Sequence, residues 1–100
     1  MANSNNKEPS KLYEAILCLE NVEECKKFFD DLCTVNELRA IEQRYEVASL
    51  LDMGHIYNEI LEKTGASSAT ISRVNRSLNY GAGGYAIVFP RMRAKQENKK

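Results

Sequence analysis

The chain is poor in the residues that most chemistry requires. It has one histidine, two prolines and three cysteines in 100 residues, and no Cys-x-x-Cys pair. Zinc sites are usually built from such pairs together with histidines. The spacing of Cys18, Cys25 and Cys33, with His55 far along the chain, therefore argues against a metal site. A serine–histidine–acid set, a phosphate-binding glycine loop and a metal-ligand cluster are also missing, so no enzyme is expected. His55 stands near a helix start and reads as a cap or surface residue rather than a base. No apolar run approaches the ~20 residues that span a bilayer, so a membrane is not an expected partner. An odd cysteine count without a signal peptide predicts a reducing, cytoplasmic setting. Cys18 and Cys25, seven apart on a helical pattern, are predicted to be buried thiols. Strand patterning is lacking except weakly in "YAIVF".

Net charge is zero, yet it is unevenly spread. Residues 1–62 hold six basic and thirteen acidic side chains; residues 63–100 hold eight basic and one acidic. A segregation of this kind predicts an electropositive face suited to phosphates, with the acidic part turned away. A solvated basic tail explains part of it, but Arg73 and Arg76 lie inside an ordered pattern.

A single domain of this length buries a modest share of its surface, about 60–65%, on its own. Residues 1–9 read as a flexible tail and residues 93–100 as a basic flexible tail, leaving a domain over 10–92. Ser10 starts a helical pattern carrying Leu12, Ile16 and Leu19, and a second apolar set runs Val22, Cys25, Phe28, Phe29, Leu32. Asn21 marks a boundary that leaves one helix or two open. In "TVNELRAIEQRYEVASLLDMG", Thr34 and Glu37 form a capping box, and Leu38, Ile41, Tyr45, Ala48 and Leu51 recur at three- and four-residue steps up to Gly54. The segment "HIYNEILEKTG" is a short helix closed by Gly65, and Ser67 caps "SATISRVNRSL". "YAIVFPRM" is ambiguous: if helical, it should end or kink at Pro90.

Two short helices about Gly65 predict a helix-turn-helix over about 56–78. In that register Ile60, Ala66, Ile71 and Val74 fall where the two helices lock together. Leu61 occupies a place that is normally small. Off the apolar stripe the second helix presents Ser67, Ser68, Ala69, Thr70, Ser72, Arg73 and Arg76, the candidate DNA-binding set. Small side chains allow close approach to a groove, hydroxyls and arginines reach phosphates or base edges, and the helix N-terminus offers free amides.

"GASSATISRVNRSLNYG", with Thr34, Glu37, Ala40 and Arg44 upstream and Gly54 between, resembles the tryptophan-repressor superfamily, in particular its TrpR-like YerC/YecD branch. The resemblance runs from about Leu32 to Gly84. It implies an all-α, TrpR-like intertwined helical homodimer with a helix-turn-helix reading head on each flank. Leu12, Ile16, Leu19, Phe28, Phe29 and Leu32 would then face the partner. It also implies a candidate effector pocket of Thr34, Arg44, Arg73, Val74 and Ser77. Tryptophan repressors have glycine where this chain has Val74, and the segment between Gly54 and Gly65 is one residue shorter here. Valine fills space that an indole ring would need, so tryptophan is not the expected effector; no cofactor is expected, with a different small-molecule co-repressor left open as the alternative. Without a ligand, Thr34 would act as a cap, Arg44 would pair with Glu37 or Glu46, and Arg73 would touch phosphate.

The expected function is a cytoplasmic, homodimeric transcriptional regulator, repressor-like, that binds double-stranded DNA at a two-fold symmetric operator. The alternative is a protein-interaction module that uses the helix-turn-helix for packing.

Overall fold

A computed structural model describes residues 10–98. The predicted tail over residues 1–9 lies outside the described residues, as do the last two of the chain. Among the described residues there are six helices and no strand: α1 Lys11–Leu17, α2 Val22–Leu32, α3 Val35–Asp52, α4 Tyr57–Thr64, α5 Ser68–Tyr80 and α6 Gly84–Asn98. The class is all-α, as the helical spacing predicts. The chain divides into two compact units, Met1–Leu38 and Arg39–Lys100.

In the first unit the open question of one helix or two is settled by side-chain caps. The Ser10 hydroxyl accepts the Leu12 amide at 3.0 Å to start α1. The Asn21 side chain accepts the Glu24 amide at 2.9 Å, and the Glu24 carboxylate accepts the Glu20 amide at 2.9 Å. The first bond satisfies an amide that the helix start leaves without a partner, the second ties the preceding residue to the same turn, and together they make α2 a separate element. Phe28 and Phe29 meet edge to face with centroids 5.8 Å apart. No side chain of α1 or α2 is buried. The expectation of buried thiols is therefore corrected: Cys18 and Cys25 are exposed and Cys33 is half-buried. The seven-residue spacing presumes one continuous helix, but Cys18 is the C-cap of α1 and Cys25 lies on α2, so the two share no helix face. The capping box is present at the start of α3: the Thr34 hydroxyl accepts the Glu37 amide at 3.1 Å, and the Glu37 carboxylate accepts the Thr34 amide at 2.9 Å.

The core lies in the second unit. Val47 and Ala48 of α3, Ile60 of α4, Ala66, Ile71 and Val74 of α5 and its approach, and Phe89 of α6 are buried together. Leu50, Leu51, Leu61, Leu78 and Tyr85 close around them. The four positions predicted to lock the two short helices are all inside this cluster. Leu61, bulky at a normally small place, is accommodated at its edge.

α6 corrects a second expectation. The helix runs through Pro90 to Asn98, so residues 93–98, read above as tail, are helical. Pro90 lacks the amide that would bond the Ala86 carbonyl, but the helix is held on both sides of it. Tyr85 stacks on Phe89 at 5.4 Å and Tyr45 of α3 meets Phe89 at 5.7 Å. Arg93 donates to the Asp52 carboxylate at 2.8 Å. Both partners are partly exposed, so this pair adds at most about 1 kcal/mol; its role is to tie α6 to the end of α3.

α5 and α6 are joined through Gly81. Its amide donates to the Ser77 carbonyl at 2.9 Å. The chain passes so close there that a Cβ at Gly81 would collide with the same Ser77 oxygen, whereas one at Gly84 would meet nothing. Gly81→Ala should therefore cost about 1–3 kcal/mol, since backbone must move to relieve the contact, and Gly84→Ala should leave stability within about 0.5 kcal/mol. Thermal denaturation of the two variants checks this contrast.

Candidate nucleic-acid interface

The second unit presents a helix–turn–helix pair. α4 ends at Thr64 and Gly65 follows in the left-handed region, φ +71°, with its amide donating to the Leu61 carbonyl at 2.9 Å. Glycine takes this conformation without the strain a Cβ would bring. The Thr64 hydroxyl donates to the Ile60 carbonyl at 2.7 Å and accepts the Ala66 amide at 3.1 Å, so the turn is bonded on both sides. Ser67 then caps α5, its hydroxyl accepting the Thr70 amide at 3.1 Å.

The start of α4 is also fixed by a side chain. The Glu59 carboxylate accepts the Ile56 amide at 3.2 Å and lies 3.2 Å from His55 Nδ1. The Ile56 amide, and after it the His55 contact, hold the Glu59 carboxyl below the usual carboxylate range. A lowered folded-state pKa stabilises the fold above the ordinary carboxylate range. That contribution fades as pH falls through the folded value.

The residues predicted to read DNA fall into two groups. Ser67 and Thr70 spend their hydroxyls on each other and on the cap: Ser67 donates to Thr70 Oγ1 at 3.0 Å, and Thr70 is half-buried. Ser68, Ala69, Ser72, Arg73 and Arg76 are exposed on α5. The opposite face of the helix is anchored by Ile71 and Val74, both buried. No acidic residue stands in the first turn of α5. Among the described residues the ion pairs are His55–Glu59 and Arg93–Asp52, so neither Arg73 nor Arg76 is neutralised by a carboxylate. The arrangement is a rigid helix with small polar groups and two uncommitted guanidinium groups toward solvent.

The residues of the candidate effector pocket belong to both units. Thr34 caps α3 in the first unit, its hydroxyl and amide both occupied by Glu37. Arg44 is exposed on α3 in the second unit; the pairing with Glu37 or Glu46 expected above is not formed. Arg73, Val74 and Ser77 share α5, with Val74 only 2% exposed and committed to the core.

Sequence reasoning missed Gln43. Its side chain, on α3, donates from Nε2 to the Thr64 carbonyl at 3.1 Å. The hydroxyl of Thr64, bonding back four residues, follows a local pattern that a sequence displays. The Gln43 contact spans twenty-one positions and leaves no such trace.

In this all-α unit α4 and the capped helix α5 are joined through the glycine turn at Gly65, an arrangement consistent with a helix-turn-helix. The chain belongs to the Trp repressor family: residues 7–93 match the family described as Trp repressor protein. The protein YerC of Bacillus subtilis (strain 168), described as uncharacterized, is 51% identical over 87 residues, 87% of this chain and 84% of the relative. A crystal structure from Staphylococcus aureus, described as a candidate Trp repressor, superposes with TM-score 0.80 at 52% identity, covering 83% of each chain. A TrpR-like protein from Eubacterium eligens ATCC 27750 gives TM-score 0.79 at 55% identity, over 82% of this chain and 84% of that one. No helix among the described residues is long and apolar enough to cross a membrane.

Proposed function

We propose that this protein is a sequence-specific DNA-binding transcriptional regulator that acts as a homodimer on a two-fold symmetric operator. The observation that carries the reading is the outer face of α5, where Ser68, Ala69, Ser72, Arg73 and Arg76 are exposed on a helix whose inner face is buried. A recognition helix enters the major groove by its N-terminal end, where the amides and small side chains lie. The arginines reach guanine edges or phosphates, and family membership supports the same assignment.

α1 and α2 support the dimer. None of their residues is fully buried, and Leu17, Val22 and Leu32 expose apolar surface. A second copy covering these helices places two reading heads on one duplex, with half-sites about 34 Å apart. Val74 takes the part of a ligand in this scheme: its methyls fill space beside Arg73 from within the core. The regulator therefore works without tryptophan.

Gel-shift titration of genomic fragments at two salt concentrations tests the reading. Binding to a subset of fragments should weaken steeply with salt, as phosphate neutralisation requires, and tryptophan should not shift the midpoint. Equal binding to all fragments, or none at low salt, would sink the proposal and leave a protein-interaction module.

A further inference from the structure

α3 and the helix–turn–helix pair are joined mainly by apolar packing, which holds surfaces together but is non-directional. Val47 and Ala48 of α3 share one buried cluster with Ile60, Ile71 and Val74, and contacts of this kind constrain the angle between helices less than a directional bond does. Among the described residues one side-chain hydrogen bond joins α3 to this pair, the donation from Gln43 Nε2 to the Thr64 carbonyl.

The place of that bond matters. Thr64 is the last residue of α4, and the final carbonyls of a helix have no partner within it. Its hydroxyl is already committed to Ile60 and Ala66. Gln43 supplies the partner its carbonyl lacks, so that both polar groups of Thr64 are fixed. Gly65, in the left-handed region, and Ala66 follow at once, and Ser67 begins the cap of α5. The contact is partly buried, where water is a poor substitute donor. The bond therefore fixes the backbone at the point where the reading helix changes direction.

We infer that Gln43 is a positioning residue for DNA reading: it touches no DNA and sets the orientation of α5 by holding the Thr64 carbonyl. The inference rests on the DNA-binding function proposed above. It predicts loss of discrimination rather than loss of affinity in general. Contacts to base edges depend on the angle of α5, whereas attraction of Arg73 and Arg76 to the phosphate chain tolerates small misalignment.

Gln43→Met keeps the length and bulk of the side chain and removes the donor. Gln43→Lys keeps a donor able to reach the carbonyl. Both variants and the parent protein are titrated with a preferred duplex and a scrambled one, well below the melting temperature. For Gln43→Met the ratio of specific to non-specific affinity should fall about tenfold, with non-specific affinity within about twofold of the parent. Gln43→Lys should restore most of that ratio, although its added charge raises both affinities. Amide exchange at Gly65 and Ala66 should quicken in Gln43→Met and not in Gln43→Lys. An unchanged ratio in Gln43→Met, or no recovery in Gln43→Lys, overturns the positioning role. A parent protein with no preference between the duplexes overturns the DNA-reading function itself, and the role of Gln43 with it.

Discussion

Replacing Arg73 and Arg76 together by alanine is expected to abolish measurable operator binding while leaving the fold intact. Both side chains are exposed, and neither is held by an acid. The core face of α5 keeps Ile71 and Val74, and the cap through Ser67 is untouched. Stability should therefore change by no more than about 0.5 kcal/mol, as for most exposed positions. Binding is another matter. An arginine that reads a guanine edge is worth about 1–3 kcal/mol of discrimination. One that neutralises a phosphate contributes through counterion release and shows itself in the salt slope, by about 0.9 per contact. The single variants separate these roles. If Arg73 reaches phosphate, Arg73→Ala weakens all sequences alike and flattens the slope by about 0.9. If Arg76 reads a base, Arg76→Ala relaxes preference at one position and leaves the slope nearly unchanged. Fluorescence anisotropy across a salt series measures both quantities. Full affinity in the double variant would place the reading surface elsewhere.

How much of this was legible beforehand depended on whether a signal was local. The buried quartet Ile60, Ala66, Ile71 and Val74 follows from helical period and the placing of one glycine. The caps at Thr34 and Ser67 follow from side chains that reach only three residues along the chain. Contacts that join distant segments left no such mark. Gln43–Thr64 and Arg93–Asp52 depend on which helices become neighbours, and a donor type at one position does not announce its acceptor. The helix continues past Pro90 although the local rule favours an end there; stacking of Phe89 on Tyr85 and the Arg93 tie hold it on both sides. Cys18 and Cys25 differ from expectation for another reason. Their seven-residue spacing presumes one helix, whereas Asn21 divides the segment into two, and a period in any case says which residues share a face and not whether anything covers it. The same distinction separates α5 from α1 and α2: all three are amphipathic by pattern, and only α5 has its apolar stripe buried within the described residues.

The largest effect on stability is expected at Ile71. It is fully buried, beside Ile60 and Val47, which are buried to the same degree. Ile71→Ala removes the transfer energy of its methyl and methylene groups and leaves a cavity that helices on several sides cannot collapse to fill. Such changes cost about 2–5 kcal/mol, against a total of about 5–15 kcal/mol for a native domain. At about 4–8 °C per kcal/mol for a domain near this size, melting should fall by roughly 10 °C or more. This loss belongs to one chain's own core, so it should be present at every protein concentration. Leu32→Ala offers the contrast. Leu32 is 49% exposed in the single chain, and if the chain worked alone its truncation should cost less than about 1 kcal/mol. Under the proposed dimer a second copy covers it, so the cost rises to about 2 kcal/mol or more at concentrations where the dimer forms and falls toward the single-chain value on dilution, because association stabilises the folded state by mass action. Calorimetry of both variants over a hundredfold range of concentration separates the two sources of stability. A Leu32→Ala protein as stable as its parent at every concentration would mean that α2 does not serve as the dimer surface.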